Sequence, residues 1–294
     1  IEYAFFFAVY SNMQSKTEAP NFARADVRSA IYREGTIEIA GKKHQIVLLD
    51  FNSNGRFDDD YRVDENVTMG NDRVYMKPGD KLFLDPDKKN QNIAYYLSDR
   101  KDTFPVSKLL WVDDRFYNLS VTPKGDQITL SPSTIPTGNV KNPNRRFNAV
   151  YSGNPGIVKI YGEASKPVVM PEGEWKLMEY SIDATESTSQ NDPERPTRTA
   201  ATGTKQSPIV KVKSGDTVDL PFGPPFKPLV IVQDLGIQRD EKQRTVALEL
   251  LLQGTGNEIC RELLVNGQTP DPPPAFVIAT KDKEIIERGS FEYG

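Results

Sequence analysis

A single cysteine, Cys260, and a single histidine, His44, are all that 294 residues contain of those two types. One cysteine excludes an internal disulfide, and one cysteine with one histidine cannot build the common zinc sites. A Ser-His-Asp or Cys-His hydrolase would have to use His44, which opens a strand-like run and has no G-x-S-x-G motif to serve. His44 therefore reads as a strand-edge polar residue, and Cys260 as a small buried or half-buried residue near a strand end. Basic blocks are missing as well: the net charge is −4, and no nucleic-acid motif accompanies it, so the electrostatic footprint of a nucleic-acid partner is absent. No apolar run approaches the roughly twenty residues of a membrane-spanning helix. The opening Tyr3-Ala4-Phe5-Phe6-Phe7-Ala8-Val9-Tyr10 is too short to span and reads as a buried strand.

What the chain does contain is punctuation and aromatics. With 22 Pro, 20 Gly, 14 Phe, 12 Tyr and 2 Trp, short strands are favoured over long helices, and the expected class is all-β. The length suits two tandem β domains. An alternating run at Val27–Tyr32, followed by strand-like Thr36–Ile39 and His44–Leu49, forms a hairpin chain. Arg73–Met76 and Lys81–Leu84 then flank the Pro78-Gly79-Asp80 turn, a further hairpin signal. Phe104 to Trp111 is expected to bend or form a short helix. Trp111, Phe104 and Phe116 read as core before they read as a sugar-stacking platform.

The first domain is expected over 1–135, and the Pro/Gly/Asn-rich stretch 136–146 is expected to link it to a second over 147–294. There, Pro171-Glu172-Gly173 followed by Trp175 and an alternating strand resembles prealbumin-like or carboxypeptidase-regulatory-like modules, and the number and spacing of the further strands fit an immunoglobulin-like or prealbumin-like β-sandwich. Residues 183–207 hold Thr, Ser, Gln, Asp, Arg, Pro and Ala with no large apolar side chain, and read as a flexible surface insertion.

The one specific pattern is Asp50-Phe51-Asn52-Ser53-Asn54-Gly55-Arg56-Phe57-Asp58, entered from the apolar run Gln45–Leu49. Oxygen-bearing side chains at every second position turn inward when backbone wraps a sphere, and Gly55 permits the bend. On the EF-hand count Asp50, Asn52 and Asn54 take places one, three and five, the Arg56 carbonyl seven and Asp58 nine. Place twelve is Tyr61, which cannot chelate, and the preceding segment is a strand, so an EF-hand is excluded. The pattern instead resembles the strand-to-strand calcium loops of FG-GAP repeats, in which the ninth-place Asp completes the shell. Asp59, Asp60 and Asp64 are spare carboxylates. The alternative is an Asx-rich turn with no metal.

This loop, with Gly35-x-Ile37, Gly41-Lys42, Pro171-x-Gly173-x-Trp175, Phe222-Gly223-Pro224-Pro225 and Phe291-Glu292-Tyr293-Gly294, resembles uncharacterised exported proteins of planctomycete-type bacteria. The resemblance implies an exported, calcium-binding β protein and transfers no catalytic residue. A site with few charged ligands needs the millimolar calcium found outside the cytoplasm, so an extracellular or cell-envelope location is expected. The sequons Asn66-Val67-Thr68 and Asn118-Leu119-Ser120 are compatible with it. Beginning at Ile1 and ending without a polar tail, the chain is expected to be a processed or partial polypeptide.

Two functional classes follow. The first is a structural or adhesive envelope component, stiffened by Ca2+ at Asp50, Asn52, Asn54, Arg56 and Asp58, and assembling with itself or with other envelope proteins. The second is a carboxylate-dependent hydrolase or carbohydrate-binding protein, for which Asp113, Asp114, Asp234 and Glu249 are nominal candidates. The absence of an Asp-Thr-Gly or Asp-Ser-Gly triplet removes the aspartic proteases.

Overall fold

Successive side chains of a strand point to opposite faces, and in the strand Lys42–Leu49 those of His44, Ile46 and Leu48 share one buried face. The computed structural model describes residues 5–12, 22–29, 31–87, 96–144, 146–185, 197–237 and 244–292. Lys42–Leu49 pairs antiparallel with Tyr32–Ile39 on one side and with Lys81–Leu84 on the other, and Thr103–Pro105 completes a four-stranded sheet. Ala40 and Gly41, both at positive φ (51° and 82°), make the tight turn between the first pair. A second sheet holds Leu109–Val112, Arg115–Val121 and Ile128–Pro132. Ile46, Leu48, Leu82 and Phe104 from the first sheet pack with Leu110, Val112, Tyr117 and Leu119 from the second in one cluster. Each such side chain contributes about 1.5–3 kcal/mol when fully buried.

The largest sheet has eight strands. Seven run in the order Ile157–Gly162, Phe147–Gly153, Gly173–Asp183, Arg198–Thr202, Ile259–Leu264, Arg244–Gln253 and Lys227–Ile237, while Ile209–Val212 pairs with the start of Gly173–Asp183. A three-stranded sheet of Val168–Pro171, Thr137–Lys141 and Thr217–Asp219 shares its core, since Val140, Val168, Met170 and Leu220 join Phe147, Tyr151, Trp175 and Tyr180 in one buried cluster. The fold is mostly β with several antiparallel sheets. Among the described residues there is no α-helix, only short 3-10 turns at Gly70–Asp72 and Leu97–Asp99. Consequently no helix there is long and apolar enough to cross a membrane.

Several segments differ from the sequence expectation. The stretch 136–146 carries the strand Thr137–Lys141, which pairs with Val168–Pro171 and Thr217–Asp219 and buries Val140 in the core. The run 183–207 contributes the strand Arg198–Thr202 to the interior of the largest sheet, with Ala200 and Ala201 fully buried. Small side chains fit where neighbouring layers approach closely. Residues 186–196 of that run lie outside the described residues.

Phe104 to Trp111 does bend, at 106–108, between the strands Thr103–Pro105 and Leu109–Val112, and forms no helix. Arg73–Lys77 and Lys81–Leu84 do not form a hairpin with each other: the first pairs with Arg62–Met69 and the second with Lys42–Leu49. The opening strand is present as Phe5–Asn12, with Val9 exposed.

Side chains from 96–116 also pack into the later strands. Leu109, Trp111 and Phe116 belong to the cluster of the largest sheet, and a third cluster joins Tyr61, Val74 and Leu97 to Val150, Ile157 and Met178. Buried Lys159 donates from Nζ to the carbonyls of Arg100, Lys101 and Thr103, and Glu179 accepts the Ser98 N–H at 2.8 Å.

Candidate metal centre

The strand Lys42–Leu49 delivers the chain to Asp50, whose side chain is completely buried. Burial of a carboxylate demands compensation, and the following loop supplies it by curling back: the Asn54 N–H donates to Asp50 Oδ1 at 3.1 Å and the Gly55 N–H to Oδ2 at 2.9 Å. Ser53 and Gly55 turn the chain at positive φ, 61° and 87°. Asn54 then acts twice, accepting the Arg56 N–H on Oδ1 at 2.8 Å and donating from Nδ2 to Asp59 Oδ2 at 2.7 Å. The Arg56 guanidinium reaches Asp58 Oδ2 at 2.8 Å. Phe57 anchors the loop from below, buried, with its N–H donating to the Pro123 carbonyl at 3.1 Å.

Asp80 is the loop residue that sequence reasoning missed. It is fully buried and bridges both ends of the loop, accepting the Phe51 N–H at 3.1 Å and the Asp59 N–H at 2.9 Å. Burial pushes its carboxyl up to about 7; the hydrogen bond from Asp59 opposes this, while the charges of Asp59 and Asp50 add to it. Asp60 is likewise raised, first by burial, against the pull of Arg62 and Lys108. The signal for Asp80 was the Pro78-Gly79-Asp80 triplet. A Cβ on Gly79 would lie 2.2 Å from the Asp59 carbonyl oxygen, so only glycine lets the two backbones meet there.

Of the expected ligands, Asp50, Asn54 and Asp58 are drawn into one hydrogen-bonded loop, with Asp59 beside them. Asn52, Asn54 and Arg56 are all exposed, although Asn54 and Arg56 take part in that hydrogen bonding. Asp64 turns away and accepts the Asn66 N–H at 3.0 Å. Among the described residues no three acidic, histidine or cysteine side chains converge as a metal-holding group. The donor set here mixes two carboxylates with amide and carbonyl oxygens, the hard-oxygen chemistry that suits calcium. One observation bears on the fit: Asp58 Oδ1 is buried and has no hydrogen-bond partner. An orphaned carboxylate oxygen beside a crowd of others is a place a cation would satisfy.

The nominal catalytic carboxylates are not brought together. Asp113 and Asp114, at φ 45° and 59°, are the turn between Leu109–Val112 and Arg115–Val121. Asp234 accepts the Gly236 N–H at 3.0 Å at a bulge, and Glu249 accepts from half-buried Asn71 at 3.3 Å. No family model, curated protein or solved structure matches this chain.

Proposed function

We propose that this is an exported, calcium-binding structural or adhesive protein of the cell envelope, in which Ca2+ stiffens the strand-to-strand loop 50–59. The observation that carries the reading is the D-x-N-x-N-G-x-x-D loop folded around buried Asp50 with Asp58 Oδ1 left without a partner. The residues that would hold the ion are Asp50, Asn52, Asn54, the Arg56 carbonyl and Asp58. A bound divalent cation would supply positive charge to a cluster of oxygens that otherwise repel one another. The chain's own part is mechanical. Asp80 ties Phe51 to Asp59, so a firmer loop holds Lys42–Leu49 and Lys81–Leu84 in register.

The chain is read as two tandem β units, roughly 1–135 and 147–294, the second an immunoglobulin-like or prealbumin-like sandwich. What supports this reading is that Ile46, Leu48, Leu82 and Phe104 pack with residues of 1–135, although Leu109, Trp111 and Phe116 of that unit join the cluster of the second. The cluster from Tyr61 to Met178 is read as the interface between them. Exposed Leu229, Val230 and Val232 on the last strand of the largest sheet offer an edge for self-assembly or for another envelope protein.

Calorimetric titration of calcium into chelator-stripped protein tests the site. The wild type is expected to bind one ion, Asp58→Asn to lose affinity by at least about tenfold through loss of a ligand charge, and Ser53→Ala to change it little. Equal responses from the two variants would refute the assignment.

A further inference from the structure

The largest sheet changes character where Arg244–Gln253 meets Ile259–Leu264. A turn joins the two strands, with the Gly254 N–H donating to the Glu258 carbonyl at 2.9 Å, yet the only residues they pair are Gln253 and Ile259. Past that point they part. The first is held along its far edge by Lys227–Ile237, and the second along its far edge by Arg198–Thr202. Among the described residues no strand pairs with the edges that face each other, 244–252 and 260–264. An unpaired strand edge presents a row of N–H and C=O groups, a template for another strand.

Between these edges lies a cleft of about 1280 Å³, lined by Val246, Leu248, Leu250 and Leu252 of the first strand and Leu263 and Leu264 of the second. The first four alternate along their strand and so share one face. All six are at least partly exposed, so a bound molecule reaches them. The chain does not fill the gap with a strand of its own: the segment that also lines it carries Pro270, Pro272 and Pro274, and proline has no N–H to give a ladder. Charge on the lining is one-sided, with Glu249, Glu262, Glu287 and Glu292 against one cation, Arg261. That guanidinium is engaged by Asp99 at 2.5 Å and lies 3.6 Å over the Tyr96 ring, and Glu262 is held by Arg198 at 3.2 Å. Exposed Glu249 and Glu287 accept from uncharged donors, the Asn71 amide at 3.3 Å and the Arg288 N–H at 3.0 Å. Among the described residues no cation meets them or Glu292.

We propose that this cleft takes up an extended segment of a partner protein, apolar on one face and carrying lysine or arginine on the other, as a strand added between the two edges. Main-chain hydrogen bonds hold such a strand, and its alternate side chains select the partner. The leucine face receives the apolar side chains. Glu249 alternates with those leucines and stands on the opposite face of the strand, where the basic side chains lie. Because the two walls run antiparallel, the guest runs antiparallel to one and parallel to the other. About five residues, roughly 17 Å of extended chain, match the shorter wall. The volume exceeds the roughly 300–1,000 Å³ of small-molecule sites. The cleft uses neither the proposed calcium ligands nor the outer edge of Lys227–Ile237, and does not depend on them.

The test is fluorescence anisotropy with three labelled octapeptides, one alternating lysine with valine, one glutamate with valine and one lysine with serine, joined to amide exchange of the protein followed by NMR. The lysine/valine peptide is expected to bind saturably and the other two at least about tenfold more weakly, for want of charge or of apolar contact. Bound peptide is expected to slow exchange at the cleft-facing amides of 246–252 and 260–264 alone. Glu287→Gln combined with Glu292→Gln, both at exposed positions, is expected to weaken the lysine/valine peptide about fivefold. The proposal is overturned if no peptide binds, if either control peptide matches the lysine/valine one, or if protection rises at the outer edge of Lys227–Ile237 instead. It is equally overturned if the cleft-facing amides are already protected in the free protein, as when a second copy fills the gap. The wild-type titrations decide even if a variant fails to fold.

Discussion

Cys260 shows how far composition alone reaches at the scale of one residue. A lone thiol near a strand end was legible as buried or half-buried; the structure places it in Ile259–Leu264, partly buried, its thiol donating to the Glu262 carbonyl at 3.2 Å. Burial is the chief cause that lifts this thiol from its ordinary 9.0 to about 11. Two consequences follow. Alkylation by iodoacetamide at pH 8 should run about a hundredfold slower in the native protein than in denaturant, since only the thiolate reacts. Between about pH 9 and 11 the folded thiol keeps a proton that the unfolded chain has lost, so this group makes stability fall as pH rises through that window. Equal alkylation rates in the two states would contradict the burial. His44 was legible as a strand residue but not as the partner of Asp85, because the two lie 41 positions apart in sequence and only strand pairing joins them.

At the scale of elements, an apolar run at Gln45–Leu49 made Lys42–Leu49 readable and period-two alternation did the same for Arg115–Val121. Arg198–Thr202 was not readable. Its Thr and Ala residues give no apolar contrast, and its place inside a sheet is set by the strands on either side. The corner at Pro78-Gly79-Asp80 was legible as a turn, yet hairpin partners are chosen by register and packing, and its flanking strands chose others. Gly79 is the residue that corner depends on. Gly79→Ala would force its methyl into the Asp59–Tyr61 backbone, and overpacking against backbone is expected to destabilise by about 2–3 kcal/mol. Urea unfolding of the variant checks this; a midpoint equal to wild type would show that the corner gives way freely. If the calcium reading is right, the same variant also binds the ion more weakly, because Asp80 no longer ties the loop's ends.

At the scale of the molecule, the all-β class followed from composition, whereas the packing between its regions did not. Lys159 illustrates why: a lysine in an alternating strand reads as exposed, but here it is 2% exposed and donates to the carbonyls of Arg100, Lys101 and Thr103. Burial draws its ammonium down to about 7, against the pull of Asp102, Glu179 and Asp99. Glu179, Leu109 and Trp111 tie the same regions together.

The most direct measurement is thermal unfolding of the purified chain in excess calcium, in excess magnesium and in chelator. A ligand that binds only the folded state raises stability with its concentration, by about 2.7 kcal/mol at a hundredfold excess over its dissociation constant. The account predicts a calcium-dependent rise in Tm that magnesium does not reproduce and that Asp58→Asn diminishes. An unchanged Tm in calcium and chelator would contradict it, and would make the loop a hydrogen-bonded Asx turn closed by Asp50 and Asp80 alone.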